Sequence, residues 1–226
     1  MIFSWAFALK ILPLLARGAV VTVEATVVGF ALAIALGLLL ALARRANRRL
    51  IAWPVAGFIE FVRSTPLLVQ LYFLYFVLPD YGIALPAFTT GVVALGVHYA
   101  CYTSEVYRAG LESVPKGQWD AAVALNLTRF QTYRYIVLPQ MLPPIVAPLG
   151  NYLIAMFKET PLLSAITVME LLMTAKIIGS ESFRYMEPIT IVGALFLIMS
   201  LCSSALIRKV ESKLGQKVLR GNVVAR

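Results

Sequence analysis

The chain has 226 residues, 60% of them hydrophobic and 14% charged, with a mean hydropathy of +0.83. Globular domains usually carry about a quarter charged residues, so composition excludes an ordinary soluble protein, a disordered chain and an acidic soluble binder. The net charge of +9, from 20 Lys and Arg against 11 Asp and Glu, reports orientation in a membrane before any nucleic-acid partner.

Residues 1–17 do not make a signal peptide, because there is no basic leader and Lys10 and Arg17 fall within or after the apolar run. They read instead as an interfacial helix on the outer face. A bilayer core about 30 Å thick needs roughly 20 helical residues to cross. The first stretch of that kind, 18–43, has a single charge, Glu24, near its solvated outer end. The next, 52–79, is interrupted by Glu60 and Arg63, and its aromatic stripe Tyr72, Phe73, Tyr75 and Phe76 reads as an interfacial belt. Residues 81–104 contain no formal charge, only His98, and residues 188–207 are wholly uncharged.

A further span is expected within 141–175. There Pro143, Pro144 and Pro148 precede Lys158-Glu159, and the uncharged run 144–157 is short for a straight crossing. Either that helix is oblique or Lys158-Glu159 lies in the membrane-embedded part. The segment 160–175 is open between re-entrant, outer-face and spanning. The sequence thus predicts an all-α polytopic membrane protein of about five transmembrane helices in one domain, 1–226. Arg44, Arg45, Arg48 and Arg49 follow the first span, Arg108, Lys116, Arg129 and Arg134 the third, and Arg208, Lys209, Lys213, Lys217 and Arg220 the fifth. The positive-inside rule then puts the N-terminus outside and the tail 208–226 in the cytoplasm, as an odd span count requires. Cys101 and Cys202 both lie in apolar runs and frame neither a disulfide nor a metal site.

The loop 109–140 is too polar for the bilayer. Ser113-Val-Pro-Lys is a capping signal with Pro115 suited to a first helical turn, and Asn126 suits a left-handed C-cap. Thr128 can cap a second helix carrying Phe130, Tyr133 and Ile136, expected to end before Pro139. Helix, sharp turn, helix is the predicted form. Composition alone would make it an amphipathic loop resting on headgroups.

Residue order says more. Asp120-Ala121-Ala122, three residues, Asn126, nine residues, then Ile136-Val-Leu138-Pro139 resembles the EAA loop of ABC importer permeases, with Asp for the usual Glu and Asn for the usual Gly. Both replacements keep the physics: a carboxylate, and a residue tolerant of positive φ. Ile59-Glu-Phe-Val-Arg63-Ser-Thr-Pro66-Leu-Leu-Val-Gln70 resembles the E-F-x-R-G-T-P-L-x-x-Q segment of the polar amino-acid permeases (the histidine, glutamine and arginine group). Gly110 to Trp119 resembles that group's lead-in to its EAA loop, and Pro148-Leu-Gly-Asn151 with Phe157-Lys-Glu-Thr160 its P-L-G-N … K-D-T segment. The tract 176–188 resembles the ectoine and hydroxyectoine uptake branch.

The resemblance implies a type I ABC importer permease fold in the bacterial inner membrane. It further implies a second permease chain, identical or paralogous, a dimer of ATPase subunits docked on the EAA loops, and an external solute-binding protein. Gly117, Asp120, Ala121, Ala122, Asn126, Ile136, Leu138 and Pro139 are the ATPase-coupling positions on this reading. No G-x-x-x-x-G-K-[ST] occurs, so ATP and Mg are expected on the partner ATPase and no cofactor, metal or catalytic residue on this chain.

Ionisable groups at membrane depth line pathways or pair with each other. Glu60 and Arg63, three apart, fit either a structural ion pair or a solute contact. Glu105 and Arg108 repeat the spacing and read as structural. Adjacent Lys158 and Glu159 point apart, so at least one is assigned to the pathway, beside the helix break at Thr160-Pro161. A zwitterion needs a cationic donor such as Arg63 or Lys158 and an acceptor or aromatic face such as Glu159, Tyr99 or Tyr102. His98, a lone histidine in an apolar span, reads as a hydrogen-bonded packing residue. The alternative functions are an ion-coupled secondary transporter, which needs broken helices in both halves, and an intramembrane enzyme, which needs clustered acids or histidines.

Overall fold

The computed structural model describes residues 3–46 and 48–224, with 214–224 described by their backbone alone. Lys217 and Arg220 of the basic tail therefore lie outside the described side chains. Among the described residues there are helices and turns but no strands.

A 40-residue helix, α1 (Trp5–Arg44), is about 60 Å long at 1.5 Å per residue, twice the thickness of a bilayer core. The sequence had suggested a separate interfacial helix over residues 1–17. Instead residues 5–17 continue into the span without a break, because Ile11 and Leu15 are buried in a cluster with Leu171, Ala175, Ile178 and Val192. The start of the helix is also tied down. The Ser4 backbone N–H donates to Glu187 at 2.9 Å, and Arg184 pairs with Glu187 and lies 5.1 Å from the Phe7 ring centre.

Further along, α1 buries small side chains at intervals of three and four: Gly18, Thr22, Ala25, Thr26, Gly29, Ala33, Gly37 and Ala41. Gly18 and Thr22 face residues 170–174, at the start of the helix over Leu171–Ser182, and from Gly29 onward the seam packs against α4 (Ala87–Glu112), the most extensive helix pairing among the described residues. Apolar attraction between helices is weak in lipid, so close backbone approach and interhelical hydrogen bonds do the holding. Thr103 donates to the Ala33 carbonyl at 2.9 Å, and a Cβ on Gly37 would stand 2.0 Å from Thr103 Oγ1. Glu105 of α4 bonds both Arg44 of α1 and Arg108, and Arg108 reaches Glu112 at 2.7 Å. The structural reading of Glu105 and Arg108 holds.

The expected second span is two helices, α2 (Arg49–Arg63) and α3 (Leu67–Tyr72), bent by 104° at Ser64-Thr65-Pro66. Proline disfavours helical backbone at the residue before it, which ends α2 there. A π-helical turn (Phe73–Val77) and a 3₁₀ turn (Leu78–Tyr81) follow, closed by Gly82 at φ 84.

After α4 come α5 (Lys116–Ala124) and α6 (Arg129–Gln131). The second loop helix does not end before Pro139, as expected, but passes through a π-helical turn (Thr132–Val137) into α7 (Leu138–Glu159). The wide turn lets the Leu138 N–H reach the Tyr133 carbonyl five residues back, so the chain stays helical up to a residue that has no donor. Then a 3₁₀ helix (Thr160–Ile166) turns at Thr167, φ 66, toward α8 (Leu171–Ser182), with a 51° bend across the pair. Glu170 is fully buried and caps α8, accepting from the Leu172 and Met173 N–H groups at 2.8 and 2.7 Å. The last helix, α9 (Met186–Val224), carries the final span on into the basic tail.

By length and composition, α1 and residues 186–213 of α9 can cross a membrane alone, and each bent pair can count as one further span. α4 has 26 residues, about 39 Å, and is the more polar helix at the centre of these.

Candidate functional site

Two regions gather the residues singled out in the sequence. The first is the loop between α4 and α7. Ser113 closes α4, its hydroxyl donating to the Gly110 carbonyl at 2.7 Å, and Pro115 precedes α5 without any side-chain cap. Local chemistry then makes the sharp turn. Asn126 takes φ 49, its N–H bonds the Val123 carbonyl at 2.9 Å, and the Leu127 N–H bonds the Ala122 carbonyl at 3.0 Å. This paired ending is a Schellman motif. Thr128 and Gln131 follow as a capping box, each side chain holding the other's backbone N–H.

The two short helices are seated on the bundle by Val137, Met141 and Ile145 of the following segment, packed with Tyr107, Leu111 and Val114 and with Ala41 of α1. Trp119 meets Tyr133 edge to face at 5.6 Å, and Gln140 reaches Gln118 at 3.3 Å. Ala122 is buried in this seat, whereas Gly117, Asp120 and Ala121 are exposed. Val123, Leu125 and Phe130 are 70–76% exposed. A groove of about 340 Å³ runs between the helices, lined by Trp119, Asp120, Val123, Arg129 and Tyr133. Ile136 is half-buried, and Leu138 and Pro139 open α7.

The second region lies between the α2–α3 break, α4 and the end of α7. Arg63 sits with its guanidinium carbon 5.3 Å from the Tyr102 ring centre, and the Tyr102 hydroxyl donates to the Arg63 carbonyl at 3.3 Å. Tyr99, one turn along α4, donates to the Glu159 carboxylate at 2.9 Å. Tyr152 joins the tyrosines with ring centres 6.0 Å from Tyr99 and 5.6 Å from Tyr102. A cation and an anion thus flank a continuous aromatic face.

Of the residues proposed from sequence, Arg63, Tyr99, Tyr102 and Glu159 come together. Glu60 stands at the edge, exposed and 3.8 Å from Arg63. Lys158 is exposed and bonded to none of these groups. Thr160 is buried, its hydroxyl capping its own helix at the Phe157 carbonyl, which is a structural task. His98 is buried and hydrogen-bonded to Gln70 at 3.1 Å. Sequence reasoning missed Tyr152, although it lies two turns before Glu159 and so shares its helical face.

Residues 33–216 match the family of binding-protein-dependent transport system inner membrane components. The chain belongs to this family. Its relatives include a probable amino-acid ABC transporter permease, y4tG, of Sinorhizobium fredii, 46% identical over 95% of this chain and 96% of that one. The glutamine transport permease GlnP of Escherichia coli is 34% identical over 94% and 98%. Among solved structures, an amino acid ABC transporter crystallised with histidines superposes with a TM-score of 0.88 at 35% identity, over 94% of this chain and all of that one. The inward-facing MetNI methionine transporter shares the fold, with a TM-score of 0.73 at 21% identity. The chain is accordingly a membrane-embedded permease subunit of an amino-acid-type ABC importer, with a type I importer permease fold, and its relatives are transport subunits.

Proposed function

We propose that this permease forms a translocation pathway for an amino acid or similar small zwitterion, with solute passing the face formed by Arg63, Tyr102, Tyr99, Tyr152 and Glu159. The observation that carries this reading is the separation of opposite charges along one aromatic surface. Arg63 matches a carboxylate and Glu159 an ammonium group, while the rings accept a cation or an apolar side chain. The broken helices beside it supply irregular backbone at membrane depth, where it is tolerated next to a cavity.

The ATPase is a separate chain, holding ATP and Mg, and its dimer docks on α5 through Gly117, Asp120, Ala121 and the groove beside them. Ala122, Asn126, Ile136, Leu138 and Pro139 hold that surface in shape rather than touch the partner. Closure of the ATPases pushes the stiff α5–α6 unit, which moves the bundle between inward-open and outward-open states as a rigid body. The N-terminus lies outside and the basic end of α9 in the cytoplasm. A second permease chain and an external binding protein complete the importer. The ectoine alternative rests on the 176–188 tract alone, whereas y4tG and GlnP are named for amino acids or glutamine.

The test is a mild-detergent pull-down of the tagged chain from its native membrane, followed by uptake assays on the reconstituted complex. Recovery of an ATPase, and amino-acid uptake lost in Arg63→Met and Glu159→Gln, support the reading. Recovery of the chain alone in several detergents overturns the importer assembly. Unchanged uptake in both variants overturns the pathway.

A further inference from the structure

The break between α2 and α3 leaves the last carbonyls of α2 short of helical N–H partners, and side chains make up the deficit: the Thr65 hydroxyl reaches the Phe61 and Val62 carbonyls, Tyr102 that of Arg63, and Gln70, from across the break, that of Val62. Gln70 Nε2 donates to the Val62 carbonyl at 2.8 Å, the Thr65 carbonyl at 3.1 Å and the Thr65 hydroxyl at 2.8 Å. With its nitrogen so engaged, the Gln70 Oε1 faces His98 Nδ1 at 3.1 Å. An amide oxygen only accepts, so the imidazole is the donor and Nδ1 carries the hydrogen. His98 in turn sits 5.1 Å, ring to ring, from Tyr102 one turn along α4. Between Val62 and Thr65 lie Ser64 and Arg63, whose own carbonyl is held by that same Tyr102.

We propose that Gln70, locked by His98, is the positioning residue for Arg63. Together the two fix the 104° break so that the guanidinium stays against Tyr102 and faces the solute. The inference rests on the reading of Arg63 as a solute contact and goes beyond it, because neither Gln70 nor His98 touches the solute on this account. A simple packing role needs only the shapes of the two side chains. The positioning role needs their hydrogen bond.

Three variants separate the two roles in the complex purified with its ATPase. Gln70→Met and His98→Phe keep shape and ring stacking while removing the bond, and His98→Asn keeps a donor nitrogen. The readout is the rate at which N-ethylmaleimide labels a cysteine placed at exposed Ser64, with Cys202→Ser as background and Cys101 buried. Uptake of a labelled L-amino-acid mixture is followed in parallel.

The expected result is labelling at least about three-fold faster in Gln70→Met and His98→Phe, with parental labelling in His98→Asn. The double variant should be no faster than the faster single, as for two residues acting through one bond. Uptake should fall and be rescued in the same pattern. His98→Asn behaving like His98→Phe, or additive singles, overturns the proposal. If Gln70→Met does not assemble, His98→Phe against His98→Asn decides alone. If Arg63→Met leaves uptake intact, the solute reading fails and takes this role with it. If Arg63→Met abolishes uptake but His98→Phe changes neither labelling nor uptake, the positioning role alone fails.

Discussion

The coupling loop and the aromatic face are built on opposite plans. The loop is short-range: its Schellman turn, capping box and proline each act within a few residues, and every donor comes from residues 113–140. The aromatic face is long-range. Its bonds join Arg63 to Tyr102, Tyr99 to Glu159 and His98 to Gln70, from helices brought together only by the fold. On the proposed function, a surface that transmits a push is stiffened locally and keeps its shape while the bundle moves, and a surface that opens and closes is made of contacts between helices.

The most severe test of that contrast is Asp120→Lys. Asp120 is exposed on α5 and makes no side-chain hydrogen bond or ion pair among the described residues, so the variant should insert and assemble. Solute-stimulated ATP hydrolysis should nonetheless be abolished, because a cation replaces a carboxylate on the docking surface. Normal stimulation in the assembled variant would remove α5 from the coupling path.

Arg63→Met is expected next in size. Losing one charge-assisted hydrogen bond to the solute costs about 1.5–3 kcal/mol, so uptake should fall by about ten-fold or more. Lys158→Met, at an exposed position outside the cluster, should fall by less than about half of that in free energy. Equal losses would mean that Lys158 turns into the pathway during the cycle.

These expectations follow how legible each region was. Asn126 and Thr128 could be read directly, since positive φ and capping belong to single residues and their neighbours. Ala121 and Ala122 matched the EAA pattern, yet only the fold shows that Ala122 is buried in the seat while Ala121 faces out. For the aromatic face, residue type suggested Arg63, Tyr99, Tyr102 and Glu159 but also Lys158 and Thr160. Which neighbour on a helix points at which partner is decided by helix rotation, and no local signal encodes that. The same limit explains the N-terminus. Residues 5–17 carry an interfacial composition, but burial of Ile11 and Leu15 by α8 and α9 makes them part of the bundle.

The α1–α4 seam bears both regions, and Gly37→Val measures its tightness. The added Cβ would meet Thr103 Oγ1 at 2.0 Å and the Ala100 carbonyl at 2.9 Å, and a backbone atom cannot swing aside. Overpacking of this kind costs about 1–3 kcal/mol. The expected outcome is a lower Tm for the detergent-purified complex, with uptake and ATPase stimulation impaired together. Loss of only one activity would show that the two regions are less mechanically joined than the shared seam implies.

The smallest effect is expected where the loop departs from its family's usual residue. Asn126 occupies φ 49, a conformation that asparagine tolerates and glycine adopts freely. Asn126→Gly relieves the residual strain but frees the unfolded chain, and these terms oppose each other. The net change in stability should be within about 0.5 kcal/mol, with stimulated ATP hydrolysis unchanged. Asn126→Val places a β-branched side chain at positive φ and should cost about 1–2 kcal/mol. It should also weaken stimulation, since the Schellman bonds from residues 126 and 127 aim α5. If glycine and valine behaved alike, the local geometry of the turn would not matter to coupling, and the stiffness of the loop would have to come from its seat at Val137 and Met141 instead.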